Sequence, residues 1–163
     1  MSPDSSQPSP DAVVVEETGV GRFQVEARAG SATILVDEPE SVGGMGSGPN
    51  PYDLLAAALG ACTTMTLRLY ANQKAWPLTR ARVSVVHHRG TLKARDVFDR
   101  EITLEGDLDE TQRARLIQIA ERCPVHVTLT RGADIRTTLT AADAVEPSAG
   151  GQHVKNMQEA CKT

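Results

Sequence analysis

NPYDLLAAALGACTTMTLRLYANQK, residues 50–74, carries the longest helical signal in the chain. Asn50 suits a helix N-cap, Pro51 suits the first helical position, and Asp53 lies where a carboxylate meets free amides and the helix dipole. Only Gly60 interrupts the run as far as Lys74. Leu55, Leu59, Cys62, Thr66 and Leu69 recur every three or four residues, which puts Cys62 on the apolar stripe of a central helix. Leu54, Ala58, Ala61, Met65 and Leu67 are apolar as well, so the helix is expected to be buried over most of its circumference. Ala56, Ala57, Ala58, Gly60 and Ala61 leave room for another backbone to come close, and a second copy of the chain is a natural candidate.

Working outward, residues 12–17, 23–28 and 32–36 are short β-branched or alternating segments divided by Gly19, Gly21 and Gly30. They predict an antiparallel meander. Gly43-Gly44-Met45-Gly46-Ser47-Gly48-Pro49 follows, and no Gly-Lys-Ser/Thr completes it as a phosphate-binding loop; the reading is a backbone that turns sharply and passes close to other elements. On the other side, Trp76-Pro77 ends the long helix, and residues 81–88 and 99–105 alternate like two more strands. Leu108 and Asp109 open a second helix, with Asp109 as cap and Gln112 as its capping-box partner. Arg113, Leu116, Ile117, Ala120 and Cys123 keep helical spacing until Pro124, so Cys123 is expected at a helix C-terminus. Residues 134–139 read as a closing strand. The order βββ-α-ββ-α-β predicts an α+β domain with helices packed on antiparallel sheet over residues 11–142. Residues 1–10, and 143–163 with Pro147, Gly150 and Gly151, are left outside the core as poorly ordered ends.

The 163 residues suffice for one core, and 40% hydrophobic residues is ordinary for a globular chain. Aromatics make up 3%, the net charge is −4, and the 17 basic residues are interleaved with 21 acidic ones. A base-stacking platform and a clustered basic surface are both missing, which argues against a nucleic-acid partner. No run is read as spanning a bilayer and no basic-then-apolar leader opens the chain, so a cytoplasmic protein without a membrane partner is expected.

Three cysteines, Cys62, Cys123 and Cys161, are an odd number and too few for a disulfide framework. Free cysteine is commonly buried as a small hydrophobe, and that reading stays open for the first two. A redox pair is the alternative: one thiol becomes a sulfenic acid and the second resolves it, a geometry that two crossing helices can supply. Zinc competes through Cys123-Pro-Val-His126 with Cys62, His87 or His88, but a second short-spaced ligand pair is lacking. His87 and His88 alternate on a strand, so at most one faces the core. Cys161 has no expected role beyond a risk of adventitious disulfides.

Gly48-Pro49-Asn50-Pro51-Tyr52-Asp53-Leu54-Leu55-Ala56-Ala57-Ala58-Leu59-Gly60-Ala61-Cys62-Thr63 resembles the central-helix motif of the OsmC/Ohr family, and Ala120-Glu121-Arg122-Cys123-Pro124-Val125-His126 resembles its second-cysteine motif. The resemblance runs from about Val13 to Leu139. Val36-Asp37-Glu38-Pro39 and Gly106-Asp107-Leu108 fit the YhfA-like branch. The resemblance implies an intertwined homodimer with cysteine pairs at the subunit interface. It implies a peroxidase in which Cys62 attacks an organic hydroperoxide or hydrogen peroxide, Cys123 closes the disulfide, and an external dithiol resets it without metal or organic cofactor. In the peroxidase branch an arginine from the first strand-turn and a glutamate ten residues before the first cysteine hold that thiol. Arg22 is the positional match for the arginine, with Arg28 behind it. The glutamate position is Tyr52 here, and Asp53, one residue later, lies about 180° around the helix from Cys62. A rival reading keeps the dimer as a non-catalytic protein that binds a small apolar ligand.

Overall fold

The computed structural model describes residues 12–139 and 152–162, which form two compact units. The first holds three antiparallel strands, β1 (Val13–Glu17), β2 (Val25–Ala29) and β3 (Ala32–Val36), in sequence order. Ala29 pairs with Ala32, which leaves Gly30 and Ser31 as a two-residue hairpin loop. Gly30 takes φ +59°, the left-handed conformation such tight loops require.

After β3 the Gly-rich connection folds around an anion of its own chain. The Asp37 carboxylate, buried at 2% exposure, accepts the backbone N–H groups of Glu38 (2.8 Å), Met45 (3.0 Å) and Ser47 (3.2 Å) and the Ser47 hydroxyl (2.7 Å). Gly48 runs against the Leu35 carbonyl so closely that a Cβ would collide with it. The sharp turn and close approach expected of the glycines are both present.

The second unit is built on α1 (Pro51–Gln73), which starts at the proline where the sequence places it. Leu59, Cys62, Thr63, Thr66, Leu67 and Tyr70 form its buried stripe. By length and composition α1 is long and apolar enough to cross a membrane, contrary to the expectation that no run reaches that length. Ala, Gly and Thr fill its less buried side, so its apolar character spreads beyond the packed stripe. Trp76 closes the helix by donating its backbone N–H to the Ala71 carbonyl (2.9 Å), and its ring meets Tyr70 edge-on.

Strands β4 (Leu78–His88) and β5 (Val97–Gly106) pair antiparallel, with Val83 opposite Ile102, Val85 opposite Arg100 and His87 opposite Phe98. Along β5 the less exposed positions are Phe98, Arg100, Ile102 and Leu104, so the inward row contains one cation. Helix α2 (Glu110–Ala120) carries the expected capping box, with Asp109 accepting the Gln112 N–H (2.8 Å) and the Gln112 side chain accepting the Asp109 N–H (3.0 Å). Leu116, Ile119 and Ala120 bury themselves against Leu67, Tyr70 and Ala71; Ile117 is 44% exposed. Truncating a fully buried leucine such as Leu116 to alanine removes about 2–5 kcal/mol.

Three expectations are corrected. Helix α2 ends at Ala120, and Pro124 starts a further helix, α3 (Pro124–Arg131), with Cys123 as its N-cap. Proline has no N–H for the Ala120 carbonyl and its ring crowds that carbonyl, yet its fixed φ suits a first helical position. Cys123 is therefore at a helix N-terminus. Residues 132–139 form no strand; Ile135 and Leu139 are 90% and 99% exposed, and among the described residues no strand pairs with them. Finally, the end of the chain contains α4 (Gln152–Ala160), whose Met157, with the following Cys161, is buried in the second unit. Residues 1–10 and most of the segment before α4 lie outside the described residues.

The hydroxyl and N–H groups around Asp37 hold its carboxyl below the ordinary carboxylate value, the Ser47 hydroxyl foremost. Its contribution to stability is present above the unfolded value and is lost as pH falls through the folded one. Asp37→Asn is expected to lower the melting temperature at pH 7 and to match wild type more closely in strong acid, as thermal melts at the two pH values will record.

Candidate active site

Three local choices bring Cys62 and Cys123 together. Cys62 lies on the buried stripe of α1, Pro124 restarts the helix at Cys123, and the inward row of β5 presents Phe98 and Arg100. The two thiols are free, are 2% and 0% exposed, and belong to one buried cluster. Leu59, Val85, Phe98, Val125 and Leu129 pack around them.

Both sulfurs sit on the N-terminus of α3. The Cys123 sulfur caps it by accepting the His126 N–H at 3.3 Å, and the Cys62 sulfur accepts the Val125 N–H at 3.4 Å. Such amides have no partner within their own helix and stabilise negative charge. Cys62, although in the middle of α1, thus receives the field of another helix's end.

Arg100 is the cation of the cluster, and sequence reasoning did not identify it. Its side chain is 9% exposed and donates to the Thr63 hydroxyl (2.9 Å), the Ala120 carbonyl (3.2 Å) and the Glu121 carboxylate (2.9 Å). The Thr63 oxygen lies 3.6 Å from the Cys123 sulfur and 2.7 Å from the Leu59 carbonyl. Because that oxygen accepts from Arg100, its single proton is directed at the carbonyl or the sulfur. The signal for Arg100 was its position in the alternating row Phe98, Arg100, Ile102, Leu104.

These neighbours divide the charge between the thiols. Cys123 is pushed below the ordinary thiol value, first by the hydrogen bond from Cys62, then by the His126 N–H, Thr63 and Arg100, against the opposing effect of burial. Cys62 is pushed up, first by the same shared proton and then by burial, with the Val125 N–H opposing. On its outer side His153, from α4, places Nε2 3.3 Å from the Cys62 sulfur.

The other residues singled out in the sequence have surroundings of their own. Arg22 belongs to the first unit, with its guanidinium over the Phe23 ring, and Arg28 pairs with Glu16 and Glu26. Asp53 is exposed in the first turn of α1 and lines, with Ala56, Ala57, Gly60 and Thr64, a groove on a face turned away from Cys62. Tyr52 stacks on His87 at 4.1 Å and its hydroxyl accepts from Arg89 at 2.8 Å. Asp96 binds both Arg89 and His87, the histidine that faces inward, while His88 faces solvent beside Asp99. His126 pairs with Glu121 at 3.4 Å, and among the described residues no group of three or more His, Cys, Asp or Glu is gathered as a metal site. Cys161, expected in a disordered tail, is buried, with its thiol pushed up by that burial.

Beside the cysteines a cavity of about 160 Å³ is lined by Leu59, Phe98 and Leu129, with Arg95, Asp96 and His126 at polar positions. The arrangement suits a reaction at sulfur with a small molecule that has an apolar part and a polar part.

Arg100→Met removes the cation whose charge favours the Cys123 thiolate. The thiolate absorbance at 240 nm is expected to titrate higher by on the order of 1 pH unit, in the range typical for loss of a nearby opposite charge.

The family model described as OsmC-like protein matches residues 44–138. Among solved structures, the chain is similar to an OsmC like protein from Mycoplasma pneumoniae, with 23% identity, TM-score 0.60 and coverage of 73% of this chain and 84% of that one. It is similar to an organic hydroperoxide resistance protein OsmC from Legionella pneumophila, with 23% identity, TM-score 0.56 and coverage of 72% and 88%. A Psychrobacter arcticus protein described as an osmotic stress induced and detoxification response protein shares 22% identity at TM-score 0.63, over 71% and 85% of the two chains. No curated protein sequence matches. With more than half its length matched by the family model and the same α+β fold in these structures, the chain belongs to the OsmC-like protein family.

Proposed function

We propose that the chain is a cysteine-based peroxidase that reduces organic hydroperoxides, with hydrogen peroxide as a second substrate, in defence against oxidative stress. The observation that carries this reading is the pair of free, buried thiols on one helix N-terminus, beside a cavity to which Leu59, Phe98 and Leu129 give an apolar side. Family membership and the fold shared with a Legionella pneumophila protein of organic hydroperoxide resistance support it.

In this reading Cys62 attacks the terminal peroxide oxygen, the O–O bond breaks, and the alcohol leaves as Cys62 becomes a sulfenic acid. Cys123, the thiol whose charged form is better stabilised, then attacks the Cys62 sulfur, expelling water and forming the disulfide. An external dithiol reduces that bond, and no metal or organic cofactor takes part. A homodimer in the cytoplasm is the proposed working form, supported by the small-residue groove on α1 and the 53% exposure of Met65 on the same helix.

A second reading draws on the burial that raises the Cys62 thiol: a non-catalytic dimer whose cavity holds a small apolar ligand. Cumene hydroperoxide consumption in the presence of dithiothreitol separates the two. Turnover well above that of dithiothreitol alone is expected, abolished in Cys62→Ser, with a two-hydrogen mass loss that Cys123→Ser prevents. Turnover at the dithiothreitol rate would leave the binding reading. Sedimentation at micromolar concentration is expected to give twice the chain mass.

A further inference from the structure

Helix α4 lies beyond residues 44–138, which the family model matches. His153, Met157 and Cys161 are each four residues apart, so they share one face of the helical segment. Met157 and Cys161 are buried at 8% and 4% exposure, and the Cys161 thiol points to the Thr66 carbonyl at 3.9 Å. Thr66 is one turn beyond Cys62 on α1, and its own hydroxyl donates to the Cys62 carbonyl at 2.8 Å. The far end of α4 is thus fixed one turn along α1, and its near end brings the His153 Nε2 to 3.3 Å from the Cys62 sulfur.

Cys62 needs such a neighbour. Once Cys123 carries the negative charge, a second thiolate in the same buried cluster is disfavoured, and Arg100 lies on the Cys123 side through Thr63. A neutral imidazole that takes the Cys62 proton becomes a cation beside the new thiolate, so the step separates no uncompensated charge.

We propose that His153 is a catalytic residue of the peroxidase site: its Nε2 accepts the Cys62 thiol proton and then donates it to the departing alkoxide. The inference rests on the peroxidase reading given above. The proton moves from sulfur to Nε2, the thiolate forms an S–O bond to the terminal peroxide oxygen, and the O–O bond breaks. The alkoxide takes the proton from the imidazolium, leaving Cys62 sulfenic acid and an alcohol. Cys123 and the Val125 N–H lie beside the thiol of this pair, while Arg100 from β5 and His126 on α3 both pair with Glu121. Arg122 and Glu159 flank the groove between α3 and α4.

The test uses the full chain with Cys123→Ser, so that oxidation stops at Cys62, and follows Cys62 by peptide mass from pH 5 to 9. Two reagents are compared, cumene hydroperoxide and iodoacetamide. With His153→Gln, the Cys62 oxidation rate at pH 7 is expected to fall by roughly 100-fold, and both rate profiles are expected to shift to higher pH. In His153→Ala, added imidazole is expected to restore part of the rate. Unchanged profiles for both reagents in a His153→Gln protein that melts like its parent would overturn the role of His153. If the parent does not react with cumene hydroperoxide, the peroxidase reading fails, and the iodoacetamide profile still decides whether His153 accepts the Cys62 proton.

Discussion

Pro124 has no N–H to give to the Ala120 carbonyl, and the cysteine site is arranged around that missing bond. The break ends α2, makes Cys123 an N-cap and leaves the first amides of α3 without intrahelical partners. Two sulfurs occupy those amides, and Arg100 donates to the carbonyl that the proline leaves short. An unbroken helix here would offer neither sulfur a free backbone N–H. The chemistry of the site thus follows from a backbone requirement, with side chains from α1 and β5 assembled on it.

The same geometry makes the two thiols unequal although they touch. Cys123 has the amide of His126, the Thr63 hydroxyl and the field of a buried guanidinium; Cys62 has one amide and, outside, an imidazole. Groups in contact whose surroundings separate their proton affinities are suited to successive roles in one reaction. In the neighbouring Tyr52–His87–Arg89–Asp96 network, aromatic stacking and an ion pair fix the outer end of the β4–β5 hairpin next to Phe98, which the cysteine cluster also packs against.

Much of this was legible in the sequence because it is local. The proline and apolar stripe of α1, the Asp109–Gln112 box, the Gly30 hairpin and the strand alternation are written within a few residues each, and all appear in the structure. The two cysteines were legible as a pair through family motifs. What escaped depends on distance or on ambiguity. Pro124 fits the end of one helix and the beginning of another, and only packing selects the second role. Arg100 is seven residues beyond Lys93 in a stretch rich in solvated charges, and its burial shows only once the strand's inward row is fixed. The spacing of His153, Met157 and Cys161 is periodic, but three positions among polar neighbours are too few to distinguish a docked helix from a loose end. Alternation alone also misleads in residues 134–139, which have the pattern of a strand and no partner to pair with.

Val125 and His126 serve the sulfurs through their backbone N–H groups, a role that every side chain except that of proline leaves intact. Related chains can therefore drift at both positions while keeping the same electrostatics, provided neither becomes a second proline. Cys62, Cys123 and Pro124 have no such latitude. A comparison that scores side-chain identity alone would rank these two neighbours as unimportant, although each supplies one of the donors that hold the sulfurs.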